Sequence, residues 1–577
     1  MEWPYRIITD LTPEYKAARR ESLDAFGTYA HFSALIPGLV YLLARFGSWV
    51  LGRRSSKRAS YEAIPPSGRV GRSSSGRKLW WWLSEPMSST GELGRRDQWV
   101  FGVAWAFWLL TLCIAGTGED YAHVTKRFGI IAVSQIPVQT LLSLKAINPF
   151  ARVFRTSHEE INRFHRTLGY IIYLFLCVHV LLYLNLFYQL NRLPERLVDE
   201  VVLPGEMAMV LFTTLLGTSL PKARQYSYRI FFVTHLSVVF LSSAFLLVHA
   251  KSAQFYITKA LAVFVVDLVV RKITTSTAQA KVEVVPGTTL IKVTAKLPPR
   301  KISQFAERPG AHVYLSIPWG ARPRSLYSLV YEFCFNPFTV AEVRQEAGEV
   351  VLVARKQDGP MTTRLVKLAE EGADARIPLS IEGPFGAFTK MLPSLVDSGV
   401  DRVLLVAGGV GASFALPVYK ALKRSNPSAK VELTWAVRTA SDAGWASSTD
   451  VTVTNGAAST PTDVLDDPDV HVFVTGKYPG SSDHYNGTAS ASSSVEMLVL
   501  PRAGEGARRG SQPLPHGRGR PDLKQIVDDV FRDEDVDAKV AVLVCGPRGM
   551  TEVVKESVAP WVRRGRDVVW HGENFGW

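Results

Sequence analysis

Four histidines stand in two apolar stretches at one shared interval, and that interval limits the fold more than any other feature of the chain. In F-H-R-T-L-G-Y-I-I-Y-L-F-L-C-V-H they are His165 and His179, and in F-F-V-T-H-L-S-V-V-F-L-S-S-A-F-L-L-V-H they are His235 and His249, fourteen residues apart in each case. A helix has about 3.6 residues per turn and rises about 1.5 Å per residue, so fourteen residues bring both imidazoles to nearly one face, about 21 Å apart. One weakly polar helix, about Met207 to Leu220, separates the two stretches. If each crosses a membrane, the two histidine helices run parallel, with His165 level with His235 and His179 level with His249. A lone histidine in such a setting is more often bonded to a backbone carbonyl than to a ligand. Four at equal intervals, where polar residues are costly, point to function. Two pairs at two depths suit two b-type haems, each with both axial positions filled by imidazole, an arrangement for passing single electrons.

Apolar stretches near Phe32–Leu51, Trp99–Gly116, Phe128–Leu144, Leu168–Leu186, Met207–Leu220, Ile230–Ala250 and Phe255–Val270 give seven candidate spans. Several fall short of the roughly 20 residues an upright helix needs. The formal charge of +14 raises the question of nucleic acid. Its basic residues, however, crowd into Gly52–Asp97, Lys145–Arg166, Pro221–Arg229 and Arg271–Lys272, where the positive-inside rule puts cytoplasmic loops. Gly52–Asp97 alone has ten Lys/Arg against four acids. The expected partner is therefore a lipid bilayer, and no nucleic acid. His165 and His235 then lie nearer the cytosol, and His179 and His249 nearer the far side. The N-terminus lacks the pattern of a cleaved signal, so the first apolar helix reads as an anchor. Gly52–Asp97 reads as a flexible loop without a fold of its own. Cys113, Cys177, Cys334 and Cys545 are scattered, with neither a metal spacing nor a disulfide framework.

From about Ser276 the pattern changes to short alternating strands: K-V-E-V-V, T-L-I-K-V-T-A, H-V-Y-L-S-I and G-E-V-V-L-V-A-R. These predict a small antiparallel barrel ending near Gly386. Beyond Val400, continuous apolar strands alternate with helices, as in a parallel sheet covered on both faces. The first strand runs into L-L-V-A-G-G-V-G-A-S, where Gly408, Gly409, Gly411 and Ser413 form a glycine turn opening a helix. Backbone amides at such a turn favour a pyrophosphate. Cys545-Gly546-Pro547 ends another apolar strand, so both motifs should face one crevice at the carboxyl edge of the sheet. By itself Cys545 reads as a small buried residue. Arg438 follows the T-W-A-V strand, placed to meet a ribose phosphate or simply solvated at the strand end. In the barrel, Asn336-Pro337-Phe338-Thr339 sets an aromatic beside backbone donors, which suits a flavin ring. The terminal H-G-E-N-F-G-W suggests Phe575 and Trp577 tucked onto a flat ligand. The expected domains are 1–98, an anchor helix and basic loop; 99–272, the histidine bundle; 273–395, the barrel; and 396–577, the α/β domain, with a disordered insertion at about 479–521.

From Trp99 to Trp577 the chain resembles a fungal ferric reductase transmembrane component, in the superfamily shared with the NADPH oxidases. The doubled histidine pairs, R-P-R-S-L-Y, N-P-F-T, G-P-F-G, the G-G-V-G turn, C-G-P and the F-G-W end carry the resemblance. It implies a polytopic α-helical membrane bundle holding two haems, followed by a cytosolic ferredoxin-reductase-like module of an antiparallel FAD barrel and an α/β nucleotide domain. It also implies FAD at Asn336, Pro337, Phe338 and Thr339 with Phe575 covering the flavin, and NADPH at Gly408 to Ser413 and Cys545 to Pro547. Asn336 stands where the family usually has histidine, and Phe385 where it usually has tyrosine. The expected function is NADPH-dependent reduction of extracytoplasmic Fe(III) chelates, with Cu(II) a second candidate, at the plasma or vacuolar membrane and alongside an iron permease and oxidase system. The competing readings are a superoxide-producing NADPH oxidase and a non-enzymatic membrane electron carrier or scaffold.

Overall fold

The computed structural model describes residues 4–58, 74–88, 93–322, 336–370, 376–386, 388–447, 464–476 and 519–573. The chain divides into two compact units, Met1–Thr275 and Ser276–Trp577.

The first unit is helical: α1 (Pro13–Ser33), α2 (Ile36–Arg58), α3 (Ser74–Ser84), α4 (Arg96–Ile114), α5 (Tyr121–Ser134), α6 (Ile136–Ser143), α7 (His158–Gln189), α8 (Val202–Ser219), α9 (Tyr228–His249) and α10 (Lys251–Thr274). Six stretches of the described residues are long and apolar enough to cross a membrane: Pro13–Val50, Arg96–Ile114, His158–Gln189, Val202–Ser219, Tyr228–His249 and Lys251–Thr274. The seventh expected span is present as two shorter helices rather than one. The stretch Phe128–Leu144 is broken at Gln135 into α5 and α6, because Pro137 near the start of α6 brings no N–H to continue the ladder. Gly52–Asp97, expected to lack structure, holds α3.

The long helices start at capping side chains. The Ser157 hydroxyl accepts from Glu160 N at the head of α7, and Ser227 does the same for Ile230 N at α9. Asp120 accepts from the amides of Ala122 and His123 to start α5. Two buried charges tie helices together. Arg127 donates to Leu112 O on α4 (3.1 Å) and to Ser22 Oγ on α1 (2.8 Å), and lies over the Phe26 ring. Asp267 on α10 accepts from the amides of Ala146 and Ile147, just beyond α6 (2.9 and 3.0 Å). Each satisfies groups whose burial would otherwise be costly, and each fixes the helices that flank the histidines.

In the second unit a closed barrel runs in the order β1-β2-β5-β4-β3-β6, from strands Ser276–Val284, Leu290–Lys296, His312–Ser316, Asn336–Arg344, Glu349–Arg355 and Arg376–Phe385, numbered β1 to β6 in sequence. All its pairings are antiparallel. A five-stranded sheet follows in the order β11-β10-β7-β8-β9, comprising β7 (Arg402–Gly408), β8 (Lys430–Val437), β9 (Val470–Val474), β10 (Lys539–Cys545) and β11 (Asp567–Glu573). It is parallel throughout, and its helices include α11 (Ala412–Ser425), α12 (Leu523–Arg532) and α13 (Arg548–Arg563). The central strands β7 and β10 are buried at all but one terminal residue each, as a sheet covered on both faces requires. The insertion expected at 479–521 lies almost wholly outside the described residues.

Candidate functional site

Each equal interval falls on a single helix: His165 and His179 on α7, His235 and His249 on α9. The rings of His165 and His235 face each other with centroids 6.2 Å apart. His179 and His249 lie close enough to interact electrostatically. The four imidazoles are thus brought together as two pairs.

Each Nδ1 has a partner on the neighbouring helices. His165 Nδ1 donates to Gln139 O (2.9 Å), His179 Nδ1 to Thr125 O (2.8 Å) and His249 Nδ1 to Val201 O (2.7 Å), while His235 Nδ1 lies 3.4 Å from Ser219 Oγ. A carbonyl oxygen can only accept, so in three of the four rings Nδ1 carries a proton, which leaves Nε2 as the nitrogen available to a metal. That is the tautomer a metal-bound histidine needs, set by the bond its other nitrogen makes. Gln139 Nε2 lies 3.5 Å from His165 Nε2.

His179 and His249 share a further device. A Cβ on Gly129 would lie 2.6 Å from His179 Cε1, and one on Gly205 would lie 2.5 Å from His249 Cε1. The carbonyl that each ring bonds, Thr125 or Val201, lies four residues before the glycine it rests on. Helix α5 and the head of α8 thus present one cradle twice. Sequence reasoning missed it, although a glycine inside an apolar span is a visible signal of close approach. Gly205→Ala should push the His249 ring aside and, if that ring holds a haem, lower its occupancy about tenfold or more, within the usual range for losing a ligand's supporting shell. The haem-to-protein ratio of the purified variant measures this.

In the second unit the glycine turn and C-G-P meet. Strand β7 lies beside β10 with Ala407 opposite Cys545. A Cβ on Gly411 would strike the Cys545 carbonyl oxygen, and one on Gly408 would lie 2.7 Å from Pro547 Cδ. The two motifs therefore share one place at the carboxyl edge. Gly409 sits at φ +55°, where glycine is favoured, and its carbonyl accepts from Trp435 Nε1 (2.9 Å). Ser413 is buried and spends its hydroxyl proton on Val410 O (2.8 Å). Arg438 stands exposed just past β8. Burial, reinforced by the Glu573 carboxylate in register beside it, holds the Cys545 thiol protonated far above neutral pH. Cys545 is therefore a close-packed neutral wall, with no thiolate to offer.

A residue not singled out from sequence completes this edge. Arg355, at the end of β5, brings Nη2 to 3.4 Å from where a Cβ of Gly409 would stand, and its Nε is buried without a hydrogen-bond partner. A cationic fork with an unspent donor beside a glycine turn suits a phosphate. Its only sequence signal is its place as the last letter of G-E-V-V-L-V-A-R.

Asn336 to Thr339 open β4, paired with Leu315 to His312 of β3. Phe338 is buried in the barrel core. The pairing register turns that ring inward, so this stretch can offer a ligand only its backbone and the half-buried Asn336 and Pro337. Phe575 and Trp577 lie outside the described residues, as does most of R-P-R-S-L-Y.

Fold and site together define a multi-pass membrane bundle with paired histidines, joined to a module of an antiparallel barrel and a parallel α/β sheet. Residues 128–247 match the ferric reductase like transmembrane component and residues 400–559 the ferric reductase NAD binding domain, and both matches bear out the resemblance to the fungal ferric reductases. A probable metalloreductase of Yarrowia lipolytica is 25% identical over 80% of this chain and 88% of its own length. A ferric/cupric reductase transmembrane component of Saccharomyces cerevisiae is 27% identical over 55% of this chain and 43% of its own, and a ferric reductase transmembrane component of Schizosaccharomyces pombe 25% identical over 55% and 60%. The chain thus spans most of the first relative and about half of the other two.

Proposed function

We propose that the chain is a transmembrane ferric-chelate reductase that draws on cytosolic NADPH and delivers electrons to Fe(III) on the far side of the membrane. The observation that carries this reading is the set of four histidines paired across α7 and α9 at two depths, three of them with Nδ1 tied to a carbonyl. An imidazole nitrogen binds a first-row metal at about 2.0–2.1 Å, so two rings on one iron have centroids roughly 6 Å apart; the His165–His235 separation of 6.2 Å fits. When bound, FAD would split the electron pair of the hydride and two b-type haems would carry the electrons singly.

The residues' own parts follow from their chemistry. His165 with His235, and His179 with His249, would hold one haem each, while the carbonyls of Gln139, Thr125 and Val201 hold the rings in register. The amides of the glycine turn and the Arg355 guanidinium would hold the nucleotide phosphates, and Gly546 and Pro547 would shape the wall beside them. Asn336 to Thr339 would border the flavin from the barrel, with Phe575 over it. The Saccharomyces relative is also named for cupric reduction, so Cu(II) is a second metal to test, with iron uptake at the plasma or vacuolar membrane as the setting. Arg355→Gln should raise the Kd for NADP⁺ about tenfold, as expected for one lost charge-assisted bond, with FAD content unchanged; titration of the purified full chain reads both.

The function is tested by reduction of a membrane-impermeant Fe(III) chelate by cells expressing the protein, with superoxide dismutase in parallel. Reduction that survives the dismutase supports a metal reductase. Reduction abolished by it makes superoxide the direct product and replaces this reading with an oxidase.

A further inference from the structure

Helix α3 carries its apolar residues in an order that a water-exposed helix would not keep. At 100° per residue, Trp81 falls on one side with Arg77 and Lys78 to either flank, while Leu79, Trp80, Trp82 and Leu83 spread over the other. Trp81 is 7% exposed, whereas Trp80, Leu79 and Trp82 are 68%, 58% and 47% exposed. The inward side is thus anchored on the bundle, and the outward side presents an apolar face of two tryptophans and a leucine.

What covers that face follows from where it is fixed. Backbone and side-chain bonds tie the end of α3 to the head of α4: Met87 N donates to Gly94 O (2.8 Å), Arg96 N to Glu85 O (3.0 Å), and the Arg96 guanidinium pairs with the Glu85 carboxylate at 2.6 Å. Arg96 also lies over the Trp82 ring. Helix α4 is one of the candidate spans, and it too leaves Val100, Phe101, Val103 and Phe107 exposed. The apolar face of α3 therefore adjoins the lipid-facing surface of the bundle, at the level where α4 enters. Tryptophans favour that boundary, and short helices with one apolar and one basic side lie in its plane. The segment Gly52–Asp97, with ten Lys/Arg against four acids, places this end on the cytoplasmic side, whose leaflet is anionic.

We propose that α3 is an in-plane membrane helix that beds Leu79, Trp80 and Trp82 in the cytoplasmic lipid surface and gathers anionic phospholipid through Arg77 and Lys78. The inference is independent of the electron-transfer reading, since it requires neither cofactor nor turnover.

The full chain, reconstituted in vesicles containing photoactivatable phosphatidylcholine or photoactivatable phosphatidylserine, tests it by mass spectrometry of lipid adducts. Adducts are expected on Leu79, Trp80 and Trp82 with both lipids, and phosphatidylserine should exceed phosphatidylcholine about threefold or more at this helix. In R77Q/K78Q that excess should vanish while labelling of α4 persists. Labelled α4 with unlabelled Leu79–Leu83 would overturn the membrane placement. Equal yields from the two lipids, or an excess that survives R77Q/K78Q, would overturn the recruitment of anionic lipid by these two residues.

Discussion

His249→Ala should yield a folded protein with half of its haem and with ferric-chelate reduction lowered at least about a hundredfold, the upper end of what loss of ligand support costs a metal site. His249 is the last residue of α9 and is only half-buried, so its truncation removes little packing. What it removes is one of the two outer imidazoles. The inner pair, His165 and His235, lies about 21 Å away along the helices and should keep its haem. The variant thus separates loss of one haem from loss of the fold. A pyridine haemochrome assay and chelate reduction on the same preparation give the two readings. A variant that retains both haems would remove His249 from the axial set.

Gly411→Ala should raise the Kd for NADP⁺ about tenfold or more and destabilise the second unit by about 1–3 kcal/mol, the usual cost of forcing a methyl group into a packed site. The backbone at Gly411 has φ −58° and ψ −20°, which alanine adopts without strain. The obstacle is contact: the new Cβ would strike the Cys545 carbonyl oxygen, a main-chain atom at the end of β10 that is flanked by β7 and β11 and cannot swing away. The glycine turn must then lift off C-G-P, and the crevice that both motifs share opens. Retained FAD would show that the barrel is intact and confine the damage to the sheet edge. Titration with NADP⁺ and thermal unfolding of the purified chain measure the two effects; unchanged affinity would show that the close approach of the turns has no part in binding.

The features that sequence revealed were those with a period or a fixed spacing. The fourteen-residue histidine intervals, the alternation of β1, β2, β3 and β5 and the continuous apolar runs of β7, β8 and β10 each follow from one helix or strand obeying its own geometry. What sequence hid depended on a second element. Hydropathy carried Phe128–Leu144 through as one span, although Pro137 divides it. The composition of Gly52–Asp97 concealed α3, because eleven residues weigh little against the Ser, Arg and Pro around them. The carbonyls of Thr125, Gln139 and Val201 have no side-chain signature at all. Arg355 becomes a site residue only when β5 is laid against the glycine turn, and Phe338 turns inward only because of its register with Val313.

The measurement that bears most directly on the central claim is optical. NADPH is added anaerobically to the purified full chain while the haem absorption is followed, and an Fe(III) chelate is then added. The account predicts haem reduction by NADPH and reoxidation by the chelate at the rate of steady turnover, with neither step complete in His249→Ala. Chelate reduced at full rate while the haem absorption stays still would contradict it, because electrons would then reach iron without passing the paired histidines.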